Sequence, residues 1–101
     1  PEATAVVCSN DMQAIGVIRR LTQEGICVPQ QMAVSGFDDV QMASFIQPTL
    51  TTAHVDRVAF GRLAFELLLG RIQAPQRPVV RCTMCVRLAV RESTLSPKRG
   101  G

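Results

Sequence analysis

Apolar and polar positions alternate in blocks that change period along the chain. Residues 4–9, Thr4-Ala-Val-Val-Cys-Ser9, form a short apolar run rich in β-favouring types, which predicts a buried parallel strand. Asn10-Asp11 follows, and Asp11 is expected to cap the helix that comes next. Ala14, Val17, Ile18 and Leu21 recur at helical spacing and define one buried stripe, with Ile15 and Arg19 on a different face. Gly25 supplies the helix stop and Pro29 the loop beyond it. Met32-Ala-Val-Ser-Gly36 then predicts a second strand, so the first forty residues read as a strand–helix–strand crossover unit.

The second half is less regular. Phe37-Asp38-Asp39 leaves the second strand as a turn, and Gln41 to Phe45 predicts a short helical patch that ends before Pro48. Leu50 to Val55 is a further β-favouring run. Asp56 can cap a second helix with an apolar stripe of Phe60, Leu63, Ala64, Leu67 and Leu68, and Gly70 falls near its end. Ala74 to Pro78 is a loop, Val79 to Val90 predicts one or two strands, and 96–101 is expected to be a disordered tail. The fold class expected is α/β, a parallel sheet with flanking helices. Two helices cover both faces of such a sheet poorly, so the 101 residues are expected to be a piece of a larger domain.

Composition narrows the classes. A content of 47% apolar and 19% charged residues suits a globular domain and is too apolar for a disordered one. No apolar run approaches the roughly 20 residues of a membrane span, and no export signal opens the sequence. Charge is divided unevenly: residues 1–56 carry two basic and six acidic side chains, and residues 57–101 carry nine basic and two acidic. The arginines of the basic half are scattered, and Trp and Tyr are absent, so a solvated surface is expected rather than a nucleic-acid groove.

Chemistry-bearing residues are few. Cys82 and Cys85 have CxxC spacing, but on a strand residues three apart face opposite ways, and His54 is the only histidine; no metal site is expected. Cys8 reads as a small buried hydrophobe, and unpaired thiols suit a reducing compartment. No nucleophile–base pair or glycine-rich phosphate loop occurs, so neither enzyme activity nor a cofactor is expected. His54 reads as a structural or surface residue. Asn10-Asp11 and Asp38-Asp39, by contrast, both sit just past the ends of parallel strands, where open α/β sheets bind ligands. With Asp11 read as a cap and Asp39 as a turn residue, Asn10 and Asp38 remain as ligand candidates, suited to a polyhydroxyl molecule.

Six motifs in order then resemble the lac repressor family of transcription regulators: Thr4 to Gly16, Gly25-Ile-Cys-Val-Pro29, Val34-Ser-Gly-Phe-Asp-Asp39, Pro48-Thr-Leu-Thr-Thr52, the spacing of Gly61, Ala64, Leu67 and Leu68, and Arg91-Glu-Ser-Thr94. The resemblance implies part of a two-lobed core like the periplasmic sugar-binding proteins, in a cytoplasmic regulator. A small effector, a sugar or nucleobase, would bind between the lobes, and a homodimer would change its grip on operator DNA through a head domain outside this chain. On that map 4–49 belong to the C-terminal lobe, 50–55 cross between lobes, 56–78 belong to the N-terminal lobe, and 79–95 return as strands to the C-terminal lobe. The implied effector-binding residues are Asn10, Asp38, Val55, Arg57 and Phe60, with Val55 standing where the family often has a polar residue. Ile15, Arg19, Met42, Phe45 and Ile46 fall on the implied dimer face, unless Phe45 and Ile46 fill the local core. A periplasmic sugar-binding protein of a transporter is the alternative, and an isolated interaction domain a third reading. The Leu-Thr-Thr run, the Met42/Phe45/Ile46 cluster and the Arg-Glu-Ser-Thr ending favour the regulator.

Overall fold

A computed structural model describes residues 2–95. The elements, in order, are β1 (Ala5–Val7), α1 (Asp11–Gln23), β2 (Ala33–Asp38), a 3-10 turn (Gln41–Ser44), β3 (Thr51–His54), α2 (Arg57–Gln73) and β4 (Arg87–Ala89). The chain divides into two compact units: it leaves the first after His54 and re-enters it at Arg87. The expected tail, 96–101, lies outside the described residues.

The first unit is built on a four-stranded sheet in the order β1-β2-β3-β4. β1, β2 and β3 are parallel neighbours, registered at Val6↔Val34 and Gly36↔Thr52. β4 runs antiparallel along β3, with Thr52 opposite Ala89 and His54 opposite Arg87, so the sheet is mixed where a parallel one was expected. The apolar stripe of α1 is realised as read: Ala14 and Ile18 are buried with Cys8, Val34, Ala43 and Leu50, and Val17 and Leu21 pack against them. Burying those side chains against the sheet is what holds this short helix in place. Gly25, at φ +74°, gives α1 the left-handed exit that its sequence position implied.

Two strand expectations need correction. The second strand runs two residues further than Gly36, to Asp38. From Val79 onward the expected strands do not form: 79–86 have no regular structure, and pairing begins only at Arg87. A β-rich sequence becomes a strand only where it meets a strand to pair with, and 79–86 belong to the second unit, outside the four-stranded sheet.

After β4 the chain turns into the sheet. Ser93 is fully buried, and its Oγ donates to Val34 O (2.5 Å) and accepts from the Thr51 N–H (2.9 Å). Its backbone joins the same strands, from Val34 N to Ser93 O (3.0 Å) and from Ser93 N to Thr49 O (2.8 Å). Glu92 accepts from both the N–H and Oγ1 of Thr49 (3.0 Å each), and those bonds lower its carboxyl pKa. The segment 91–94 thus stitches the amino ends of β2 and β3, a role for which the sequence offered only a family string.

In the second unit, α2 begins on Asp56, whose carboxylate accepts from Ala59 N (3.0 Å). The helix passes Gly70 by three residues, and the Arg71 guanidinium closes the following loop on the carbonyls of Pro75, Arg77 and Pro78 (3.3, 2.6 and 3.4 Å). The one-sided stripe expected here is not what forms. Val58, Phe60, Phe65, Leu68 and Ile72 are all exposed around the helix, and none of its residues is buried. A helix apolar all round belongs among partners on several sides.

Candidate functional site

The site grows from the carboxyl ends of β1 and β2. Beyond β1 the pairing continues for one hydrogen bond, Cys8 N to Ser35 O (2.9 Å), and the chain then enters α1. Asn10, not Asp11, is the cap. Its backbone is still extended (φ −155°), and its Oδ1 accepts from Gln13 N (2.9 Å). A cap must combine extended backbone with a short acceptor, and the residue leaving the strand meets both conditions. With Oδ1 engaged, the half-buried Asn10 retains its amide N–H groups as donors.

Displaced by one position, Asp11 becomes the first helical residue and is fully buried. Its Oδ1 accepts from Thr52 Oγ1 (2.6 Å) on β3, and its Oδ2 accepts from the backbone N–H of Val40 (2.8 Å). The positive end of the α1 dipole favours a carboxylate there. Gly36 makes room for it: a Cβ at that position would collide with the Asp11 carboxylate and stand 3.2 Å from Leu50 Cδ2.

At the end of β2, Asp38 and Asp39 both have positive φ, 120° and 57°, a conformation that costs a non-glycine residue of order 1–3 kcal/mol each. Asp38 is half-buried and registered with His54. Asp39 is more than the turn residue expected. Its Oδ2 meets His54 Nδ1 (2.8 Å), its Oδ1 accepts from Arg91 (2.9 Å), and its N–H donates to Thr52 Oγ1 (3.2 Å). Burial pushes the Asp39 carboxyl pKa up, but the hydrogen bonds and charges of His54 and Arg91 outweigh it, leaving the group below the usual carboxylate value. Arg91 is itself anchored by a bond from its guanidinium to Leu50 O (2.9 Å).

The expected ligand residues therefore fall into two sets. Asn10 and Asp38 stand at the carboxyl ends of neighbouring parallel strands in the first unit. Val55, half-buried, and Arg57 and Phe60, exposed, stand at the start of α2 in the second unit, where Phe60 helps line a cavity of about 100 Å³ with Leu63, Leu67 and Met84. Of the expected dimer face, Met42 and Phe45 are 55% and 70% exposed, Arg19 is exposed and Ile15 half-buried, while Ile46 packs against the core cluster. Sequence reasoning missed Asp11, Thr52, Asp39 and Arg91 as one hydrogen-bonded group. Its only traces were the Asp pair, the Thr pair and the Arg-Glu-Ser-Thr string.

Cys8 is buried, and desolvation raises its thiol pKa. Cys27, Cys82 and Cys85 are exposed free thiols. The strand argument against joint chelation by Cys82 and Cys85 does not hold, because that segment is not a strand. Among the described residues no three His, Cys, Asp or Glu side chains are grouped to hold a metal ion, and no helix is long and apolar enough to cross a membrane.

Residues 1–94 match the family described as periplasmic binding protein-like domain. The chain is 46% identical over 70 residues to the HTH-type transcriptional repressor PurR of Vibrio cholerae serotype O1, covering 69% of this chain and 21% of that protein. Among solved structures, it resembles the LacI family transcriptional regulator from Enterococcus faecium with bound ribose (TM-score 0.84, 34% identity, 93% of this chain and 35% of that one). It also resembles the LacI family transcriptional regulator from Arthrobacter sp. FB24 in complex with lactose (TM-score 0.83, 36% identity, 94% and 36%). The chain spans about one fifth of the length of the curated relative and about a third of these structures.

Proposed function

Because this chain belongs to the lac repressor (LacI/GalR) family, as a piece of its periplasmic-binding-protein-like effector domain, we propose that it is the ligand-sensing and dimerisation part of a DNA-binding transcription regulator. In this reading the first unit is the C-terminal lobe and the second belongs to the N-terminal lobe. The observation that carries the ligand site is the pairing of Asn10 and Asp38 at the carboxyl ends of β1 and β2. Asn10 offers amide donors and Asp38 carboxylate acceptors, a combination suited to the hydroxyls of a sugar or the ring edges of a nucleobase. In the same reading Val55, Arg57 and Phe60 of the second unit contribute one cation and one aromatic to effector binding. The strained backbone at Asp38 supports the same assignment, since such conformations concentrate at functional sites.

The effector shifts the balance between two lobe arrangements, and the dimer passes that bias to a DNA-binding head. Arg19, Met42 and Phe45 form the exposed part of the proposed dimer surface, flanked by Ile15 and Ile46. Such a protein acts on operator DNA in the cytoplasm and catalyses nothing. The test uses the full-length regulator. A panel containing ribose, lactose and purine bases is titrated against it, and the effect of any binder on operator affinity is measured. Asp38→Ala is expected to abolish that effect while operator binding survives; a normal response in the variant refutes the site.

A further inference from the structure

We propose that Asp39 is a positioning residue, a clamp that joins the turn carrying Asp38 to the two stretches on which the chain leaves and re-enters the first unit. His54, which holds Asp39 Oδ2 at 2.8 Å, is the last residue of β3 and the last before the division between units. Arg91, which holds Oδ1 at 2.9 Å, lies two residues beyond β4, and β4 begins at Arg87, where the chain re-enters. His54 and Arg87 are register partners, so the outgoing and returning strands are already side by side. One carboxylate therefore grips the end of one connecting stretch and the continuation of the other.

The same clamp holds the turn. Positive φ at two successive aspartates persists only where the surroundings over-determine it. The fixing bonds include the two to the Asp39 carboxylate, Asp39 N–H to Thr52 Oγ1, and Val40 N–H to the buried Asp11. Three of these four converge on Asp39. Charge-assisted bonds of this type are roughly twice as strong as neutral ones. Opening the turn at Asp38 must then loosen His54 and Arg91, and a movement of the connecting strands must pull on the turn. The use of this coupling rests on Asp38 being an effector ligand, but the clamp exists without an effector and is tested without one.

Hydrogen–deuterium exchange is followed in the full-length regulator on peptides covering 37–41, 50–54 and 87–92. Asp39→Asn is expected to raise exchange about tenfold or more in all three together, and by clearly more than it raises exchange in α1 or at the amide of Val34. His54→Asn places an uncharged amide N–H where Nδ1 stands and is expected to keep the turn protected, whereas His54→Leu, closer to histidine in volume, is expected to lose that protection. A role in packing alone would rank these two variants the other way. Exchange that rises only in the turn, that rises by the same factor throughout the domain, or that is no greater in His54→Leu than in His54→Asn overturns the proposal. A panel in which no ligand binds would refute the effector reading and leave the clamp standing.

Discussion

Replacing Asp11 with alanine is the sharpest test of the physical account of the first unit. The carboxylate is fully buried and serves two donors, Thr52 Oγ1 at 2.6 Å and the Val40 N–H at 2.8 Å. Thr52 is itself fully buried, so its hydroxyl proton has no water to turn to. A buried donor left unpaired costs about 1–3 kcal/mol. Loss of a negative charge from the first turn of α1 costs a further 0.3–1 kcal/mol or so. Relief of the desolvation penalty of the carboxylate offsets part of this. The net expected loss is about 3 kcal/mol, a large share of the roughly 5–15 kcal/mol typical of a whole domain. With no Trp or Tyr in the chain, urea unfolding is followed by far-UV ellipticity, with amide exchange at Ile18 as the local readout. At an m-value of ~1–3 kcal/mol/M the midpoint falls by about 1–3 M. Met12→Ala, one residue along and 70% exposed, is the control and should change stability by less than about 0.5 kcal/mol. If Asp11→Ala is no more destabilising than that control, the carboxylate does not support the β2–α1–β3 junction and the reasoning is wrong.

Three further expectations concern the same unit. Gly36→Ala puts a methyl group against the Asp11 carboxylate and Leu50, so α1 must shift, and thermal unfolding should register a loss of about 1–3 kcal/mol; an unchanged midpoint would show that the helix start has slack. Ser93→Ala strips the buried Thr51 N–H of its acceptor and Val34 O of a donor, at an expected loss of about 1–3 kcal/mol, and the Thr51 amide should exchange faster than in the wild type. The pKa of Asp39 is lowered in the folded chain, so its ionised form contributes stability that is present above the unfolded carboxylate value and lost as pH falls through the lower folded value. Wild type should therefore exceed Asp39→Asn in stability at neutral pH, and urea midpoints should show the gap narrowing below about pH 3.8; a gap independent of pH would remove the ion pairs from the account.

Local patterning alone determined the first unit's strand–helix–strand frame. The α1 stripe of Ala14, Val17, Ile18 and Leu21, the stop at Gly25 and the cap at Asp56 are short-range rules in which backbone geometry and side-chain spacing suffice. Order and spacing of motifs also identified the family, and position after a parallel strand singled out Asn10 and Asp38 as the candidates proposed for the ligand site. Only the tertiary structure decided which of Asn10 and Asp11 caps α1, because that depends on the residue at which β1 releases the chain. It alone joined Asp39 to His54 and Arg91, which are 15 and 52 positions away in sequence. The strand reading of 79–86 and the one-sided stripe of α2 failed for a related reason. Strand pairing and the facing of an all-round apolar helix are set by neighbours, and propensity records what a segment can pair with, not what stands beside it.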